Sequence, residues 1–214
     1  MTSSGAKGKE EVIVDFRSNL FRSFTSWGDT LMDLCDSLLC QPGAITSIPS
    51  LSLEPVFRRS HGSLYKALRH GRLKVADLRN LLVKHNSNDW PMVFAVDASN
   101  WERCDAETSP ERGFYYSASK HSAGQPIVAG WSYQWIVQLN WEHNSWTQPI
   151  DVMRLKPTMD STSETIEQVK GLVGILRKDR EVPLFVFDAG YDPIVLLASL
   201  SDDIWPLFGK ALFG

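Results

Sequence analysis

The chain has 214 residues, of which 43% are hydrophobic and 22% charged. That is enough to bury a real core, and it excludes a chain disordered throughout. The net charge of −3 gives no electrostatic argument for a nucleic-acid partner on its own, so the distribution of charge has to carry that question.

The first ten residues have no apolar core behind a basic start, so they read as a disordered tail rather than a secretory signal. From Glu11 to Leu39, apolar residues recur at helical spacing: Val12, Phe16, Leu20, Phe24, Trp27, Leu31, Leu34 and Leu38. Two helices, or one broken near Gly28, account for this, with Ser26 or Asp29 capping the second and Pro42-Gly43 ending it. Residues 41–57 carry Pro42, Pro49 and Pro55 among Ser and Thr and read as a long loop. The three cysteines, Cys35, Cys40 and Cys104, lack a C-x-x-C pairing, which argues against a disulfide framework and a zinc site and makes a reducing cytosol the expected compartment.

Positive charge is concentrated in residues 58–85, where Arg58, Arg59, Lys66, Arg69, Arg72, Lys74, Arg79 and Lys84 face Asp77 alone. Two short helices on either side of Gly71 give the outline of a helix-turn-helix unit, an outline that any helical hairpin shares. A solvated basic face and a phosphate-binding face both fit. On the second reading, Arg58, Arg59, Lys66, Arg69, Arg72 and Lys74 are the candidate DNA contacts. A boundary near residue 88 separates this helical, basic region (11–88) from the remainder (89–214).

The remainder is organised around two apolar runs that end on a carboxylate: Pro91-Met-Val-Phe-Ala-Val-Asp97 and Val182-Pro-Leu-Phe-Val-Phe-Asp188. Runs apolar on both faces fit central, covered strands. If the two are neighbours, Asp97 and Asp188 meet at one edge of the sheet, where a metal ion can hold them together; alternatively each simply caps a turn or a following helix. Between them, residues 114–116, 126–139 and 146–155 read as strands, the last two as a hairpin turning through 142–145, with Pro149 marking an edge or a bulge. The tryptophans of this stretch are expected in the sheet core. A helix opens at Asp160-Ser-Thr-Ser-Glu, with Ser and Thr as cap candidates, and another runs from Tyr191 to Leu200, entered through Pro193 and capped by Asp192. His121 and His143 read as loop or turn residues. No apolar run nears the roughly 20 residues of a membrane span.

Val-Phe-Ala-Val-Asp97-Ala-Ser and Leu-Phe-Val-Phe-Asp188-Ala-Gly-Tyr-Asp resemble the first and second acidic motifs of the DDE transposases of bacterial insertion sequences, over about residues 55–205. The resemblance implies an α/β, ribonuclease H-like mixed sheet with flanking helices, preceded by a small all-helical region. It implies DNA strand cleavage and strand transfer with two divalent ions, Mg2+ or Mn2+, held in part by Asp97 and Asp188, and transposon ends and target DNA as partners. A second copy of the chain as partner and a bacterial, nucleoid-associated, cytoplasmic location go with it. The family's third acid, a Glu beyond a fifth strand, is expected after residue 200. Asp202 and Asp203 lie too close to Asp188 and Glu164 and Glu167 come too early, so the chain is expected to be a truncated copy. The alternative is a non-catalytic DNA-binding remnant. An actin-like or sugar-kinase-like ATPase also starts on a strand-Asp, but Asp97-Ala-Ser-Asn lacks the glycines of its phosphate turn.

Overall fold

A computed structural model describes residues 3–45, 47–87, 89–117, 126–140, 146–176, 182–188, 190–200 and 204–208. The chain divides into two compact units, 1–85 and 86–214.

The first unit consists of α1 (Ser3–Ser23), β1 (Phe24–Ser26), α2 (Gly28–Leu39), α3 (Ile48–Leu51), α4 (His61–His70), β2 (Arg72–Leu73) and α5 (Val75–Lys84). α1 begins inside the stretch expected to be a tail. α1 packs on α2 and α5, and α2 packs on α4, burying Met32, Leu51, Phe57, Leu64, Ala67, Leu81 and Val83. The first helix ends at Ser23, and the cap of the second is neither Ser26 nor Asp29: Trp27 takes the N-cap position of α2 in the left-handed region (φ 60°) without a side-chain cap. Helices α4 and α5 fall where the apolar spacing placed them. The link between them is more than a turn, because Phe24 and Ser26 of β1 pair antiparallel with Leu73 and Arg72 of β2. Gly71 opens that link, and any side chain there would run into the carbonyl of Ala67.

The second unit consists of β3 (Val93–Glu102), β4 (Gly113–Tyr116), β5 (Ile127–Leu139), β6 (Thr147–Leu155), α6 (Ser161–Val173), β7 (Leu184–Phe187), α7 (Pro193–Leu200) and β8 (Trp205–Phe208). β3 pairs antiparallel with β5 on one side and parallel with β7 on the other, and β7 pairs parallel with β8. β4 and β6 share the far edge of β5. Antiparallel hairpins followed by parallel strands reached through helices are the ribonuclease H-like arrangement, a mixed sheet flanked by α6 and α7. The run from Ile204 onward supplies the fifth strand of that order; Pro206, which cannot donate to a ladder, suits a strand whose single described neighbour is β7. Ile150 is the extra residue of a bulge in β6, since Ile136 faces Asp151 while Val137 faces Pro149.

Residues of alternating parity divide the sheet into two faces. Phe94, Val96, Ile136, Phe185 and Phe187 are buried on one, and Phe94 stacks on Phe185 with ring centroids 5.1 Å apart. The tryptophans depart from expectation: Trp101 is 63% exposed, Trp146 69% and Trp135 37%. Residues directly opposite in a ladder share a face, so Trp101, opposite Trp131, and Trp135, opposite Asp97, stand on the other face of the sheet. Trp131 is covered by the guanidinium groups of Arg103 and Arg154, 5.8 and 5.1 Å from its ring centroid. The expected hairpin turn at 142–145, His121, His143 and Asp202–Asp203 lie outside the described residues. No helix among the described residues is long and apolar enough to cross a membrane.

Candidate active site

The register of the two central parallel strands sets the site. Val96 of β3 lies opposite Phe187 of β7, on strands about 4.8 Å apart, and each is followed by an aspartate: Asp97 within β3 and Asp188 just beyond the end of β7. The aromatic stack of Phe94, Phe185 and Phe187 holds that register, because a slip of one residue would turn every buried ring of one strand to the opposite face. Asp97 also lies opposite Trp135 of β5, whose indole Nε1 donates to Ser99 Oγ at 3.1 Å.

One oxygen of each carboxylate is engaged locally. Asp97 Oδ1 accepts from the Ala98 amide at 2.8 Å and Asp188 Oδ1 from the Gly190 amide at 2.5 Å. A Cβ at residue 190 would lie 2.9 Å from that Oδ1, so glycine leaves room for the carboxylate. Among the described residues, no Lys or Arg forms an ion pair with either aspartate. Asp97 is open to solvent on one side, yet surrounding protein pushes its carboxyl above the usual aspartate range; the Ala98 amide opposes this and the charge of Asp188 adds to it. Asp192 serves the helix that follows it. Its Oδ1 accepts from the amides of Ile194 and Val195 at 2.9 and 3.2 Å, capping α7 ahead of Pro193. Asp160 does the same for α6, accepting from Ser163 N at 2.9 Å, in place of the Ser and Thr candidates.

A polar chain missed by sequence reading lies behind the acids. Gln134 of β5 is fully buried and donates from Nε2 to Gln168 Oε1 at 2.9 Å, and Gln168 Nε2 donates to Asp151 Oδ2 at 3.0 Å. Gln134 Oε1 accepts from Thr165 Oγ1 at 2.9 Å and from the Tyr191 hydroxyl at 3.4 Å. The signal was present: an amide every fourth residue, Gln134 and Gln138, flanking Ile136 on the inward parity of the strand requires internal partners. Burial raises the Tyr191 phenol far above its ordinary value, and the charges of Asp97 and Asp188 raise it further.

The basic candidates belong to the first unit and divide into groups. Arg58 donates to Asp33 from Nη2 at 2.9 Å, and Arg59 makes a short ion pair with the same carboxylate and a second with Asp29 at 3.3 Å. Asp33 is 1% exposed at its side chain, so these two arginines fasten buried charge on α2. Lys74 faces Asp77 at 3.8 Å, and Arg72 Nη1 donates to the Gly71 carbonyl at 2.8 Å. Lys66 and Arg69, both on α4, are exposed and make no ion pair with another described residue.

The family follows from a match over most of the chain. A family model described as DDE superfamily endonuclease matches residues 19–203. The chain belongs to that family. No curated protein matches it. DDE superfamily endonucleases generally use divalent metals, and the donor set fits such ions: two adjacent carboxylates, hard oxygen ligands, with like charges that no described cation offsets. No group of three or more metal-capable side chains occurs among the described residues. Residues 209–214, which follow β8 in the sequence, contain no acid.

Proposed function

We propose that this DDE superfamily endonuclease is a transposase-type enzyme that cleaves and joins DNA strands, and that Asp97 and Asp188 hold its catalytic divalent ions, Mg2+ or Mn2+. The observation that carries the reading is the register of β3 and β7, which sets two carboxylates side by side with no described cation between them. When bound, the metal supplies Lewis acidity for activating a water or a DNA 3′-hydroxyl and for steadying phosphate charge. The chain's own part is to hold Asp97 and Asp188 adjacent, the first on a central strand and the second directly after its parallel neighbour. The helical first unit then serves as the DNA-binding region, with Lys66 and Arg69 as its leading phosphate contacts and Arg72 and Lys74 beside them; Arg58 and Arg59 contribute by fixing the α2 face.

Nicking of a DNA substrate in Mg2+ or Mn2+ tests this. Asp97→Asn and Asp188→Asn should each lower the rate on the order of 1000-fold while leaving salt-sensitive DNA binding in place. DNA binding with no metal-dependent cleavage by the unmodified chain would instead support a non-catalytic DNA-binding role.

A further inference from the structure

The turn from Asp188 to Asp192 carries one of the two acids, and its position depends on how it is anchored. Two of its hydrogen-bond sets are local and exposed: Gly190 N to Asp188 Oδ1, and the α7 amides to Asp192. They tie neighbouring residues to one another but not to the sheet. A third reaches a different strand. Tyr191 packs edge-on against Phe187, with ring centroids 5.6 Å apart, and its hydroxyl donates to Gln134 Oε1 on β5. Gln134 pairs in register with Ala98, the residue after Asp97. The bond therefore spans β3 and joins the turn of one acid to the strand beside the other.

Gln134 is itself immobilised. Its Nε2 donates to Gln168 of α6, which continues to Asp151 of β6, and its Oε1 faces the Thr165 hydroxyl at 2.9 Å, whose one proton it shares with the Ser161 carbonyl at 2.6 Å. A buried amide held at both ends is a fixed acceptor rather than a rotor. The Tyr191–Gln134 contact is long for a hydroxyl donor and shares its acceptor with Thr165, so its effect lies in direction more than strength.

We propose that Tyr191 is a positioning residue for the acid pair: through Gln134 it ties the Asp188–Asp192 turn to the buried polar chain and so holds the Asp188 carboxylate beside Asp97. The proposal rests on the metal-binding reading of Asp97 and Asp188, but the tie itself can be tested without metal.

The test uses the full chain and Tyr191→Phe, which keeps the ring against Phe187 and removes only the hydroxyl. Amide exchange at Gly190, whose partner is the Asp188 carboxylate, should become several-fold faster, with the circular dichroism spectrum and unfolding midpoint close to those of the unmodified chain. Mn2+ affinity measured by calorimetric titration should fall about 10-fold, the lower end of what loss of a ligand's supporting partner costs. Gln134→Met should reproduce both effects, and the double variant should add little to either single one, because both remove the same bond. Unchanged Gly190 exchange in Tyr191→Phe overturns the proposal, as does full additivity in the double variant. If Gln134→Met fails to fold, Gly190 exchange in Tyr191→Phe decides alone. Mn2+ binding that is absent, or indifferent to Asp97→Asn, defeats the metal reading and leaves the positioning tie to be judged by Gly190 exchange.

Discussion

The acids of α2 are handled in the opposite way to Asp97, midway along β3, and Asp188, directly after β7. Asp33 is buried and held by two arginines, and Asp36 is gripped by Arg17 through hydrogen bonds of 2.5 and 2.9 Å. Asp97 and Asp188 are neighbours of like charge with no described cation. Burial pushes the Asp33 carboxyl up, but Arg58 and Arg59 more than reverse it and leave it below the usual range; burial pushes Asp97 up and Asp188 reinforces the shift. The first pattern stabilises a fold. The second raises its energy, which a protein tolerates where a ligand later supplies the missing charge.

Substitutions to the neutral isostere should separate the two patterns by sign. Asp33→Asn should destabilise the first unit by about 3 kcal/mol in urea unfolding, since two arginines lose the buried partner they were built around. Asp97→Asn should leave the metal-free second unit as stable or slightly more stable, while removing metal-dependent cleavage. If both substitutions destabilised alike, Asp97 would be a structural acid of the Asp33 kind.

Acid titration sharpens the same contrast. The depressed carboxyl of Asp33 contributes stability that is present above its ordinary value of 3.8 and lost as pH falls through its lower folded value. The raised carboxyl of Asp97 works the other way, contributing below 3.8 and losing that contribution as pH rises through its higher folded value. Hydrogen exchange resolved by unit, in metal-free protein acidified from neutrality toward pH 4, should show protection gained around β3 and β7 and none lost around α2. Below pH 3.8 the α2 region should open.

The smallest effects are expected among the basic residues. Lys66→Ala and Arg69→Ala should each weaken DNA binding with little change in stability, reducing the logarithmic salt slope by about one for each phosphate no longer neutralised. Arg59→Ala should lower stability more than it lowers the salt slope. Equal salt slopes for all three variants would erase the distinction between fastening and binding arginines.

Much of this was legible in the chain. Val93–Val96 and Leu184–Phe187 are short, apolar and β-branched or aromatic, which marks central parallel strands, and the acid at the end of each needs no structure to be noticed. The sequence could not show that Arg58 and Arg59 are committed to Asp33, because the partner lies in an earlier helix and ion pairs follow tertiary packing rather than sequence spacing. Counting charge locally sets eight cations against Asp77 and leaves out Asp15, Asp29 and Asp33, the partners of Lys84, Arg59 and Arg58 from earlier in the chain. The tryptophans were misplaced for a related reason: high β-propensity marks a strand, but not which of its faces is covered. The spacing of Gln134 and Gln138 is visible in the sequence, but their burial follows only once the parity of β5 is known to point inward.

The pairing of β3 with β7 has a kinetic consequence. It brings together segments about ninety residues apart, and no local turn can form it early, so closure waits on the intervening hairpin and α6. During synthesis Asp97 emerges long before its neighbour, and a half-made chain carries Asp97 without Asp188 beside it. If Asp97 and Asp188 form the proposed metal centre, cleavage competence should arise only after β5 and β6 have paired and β7 has joined β3, so the centre stays silent until the sheet around it is complete.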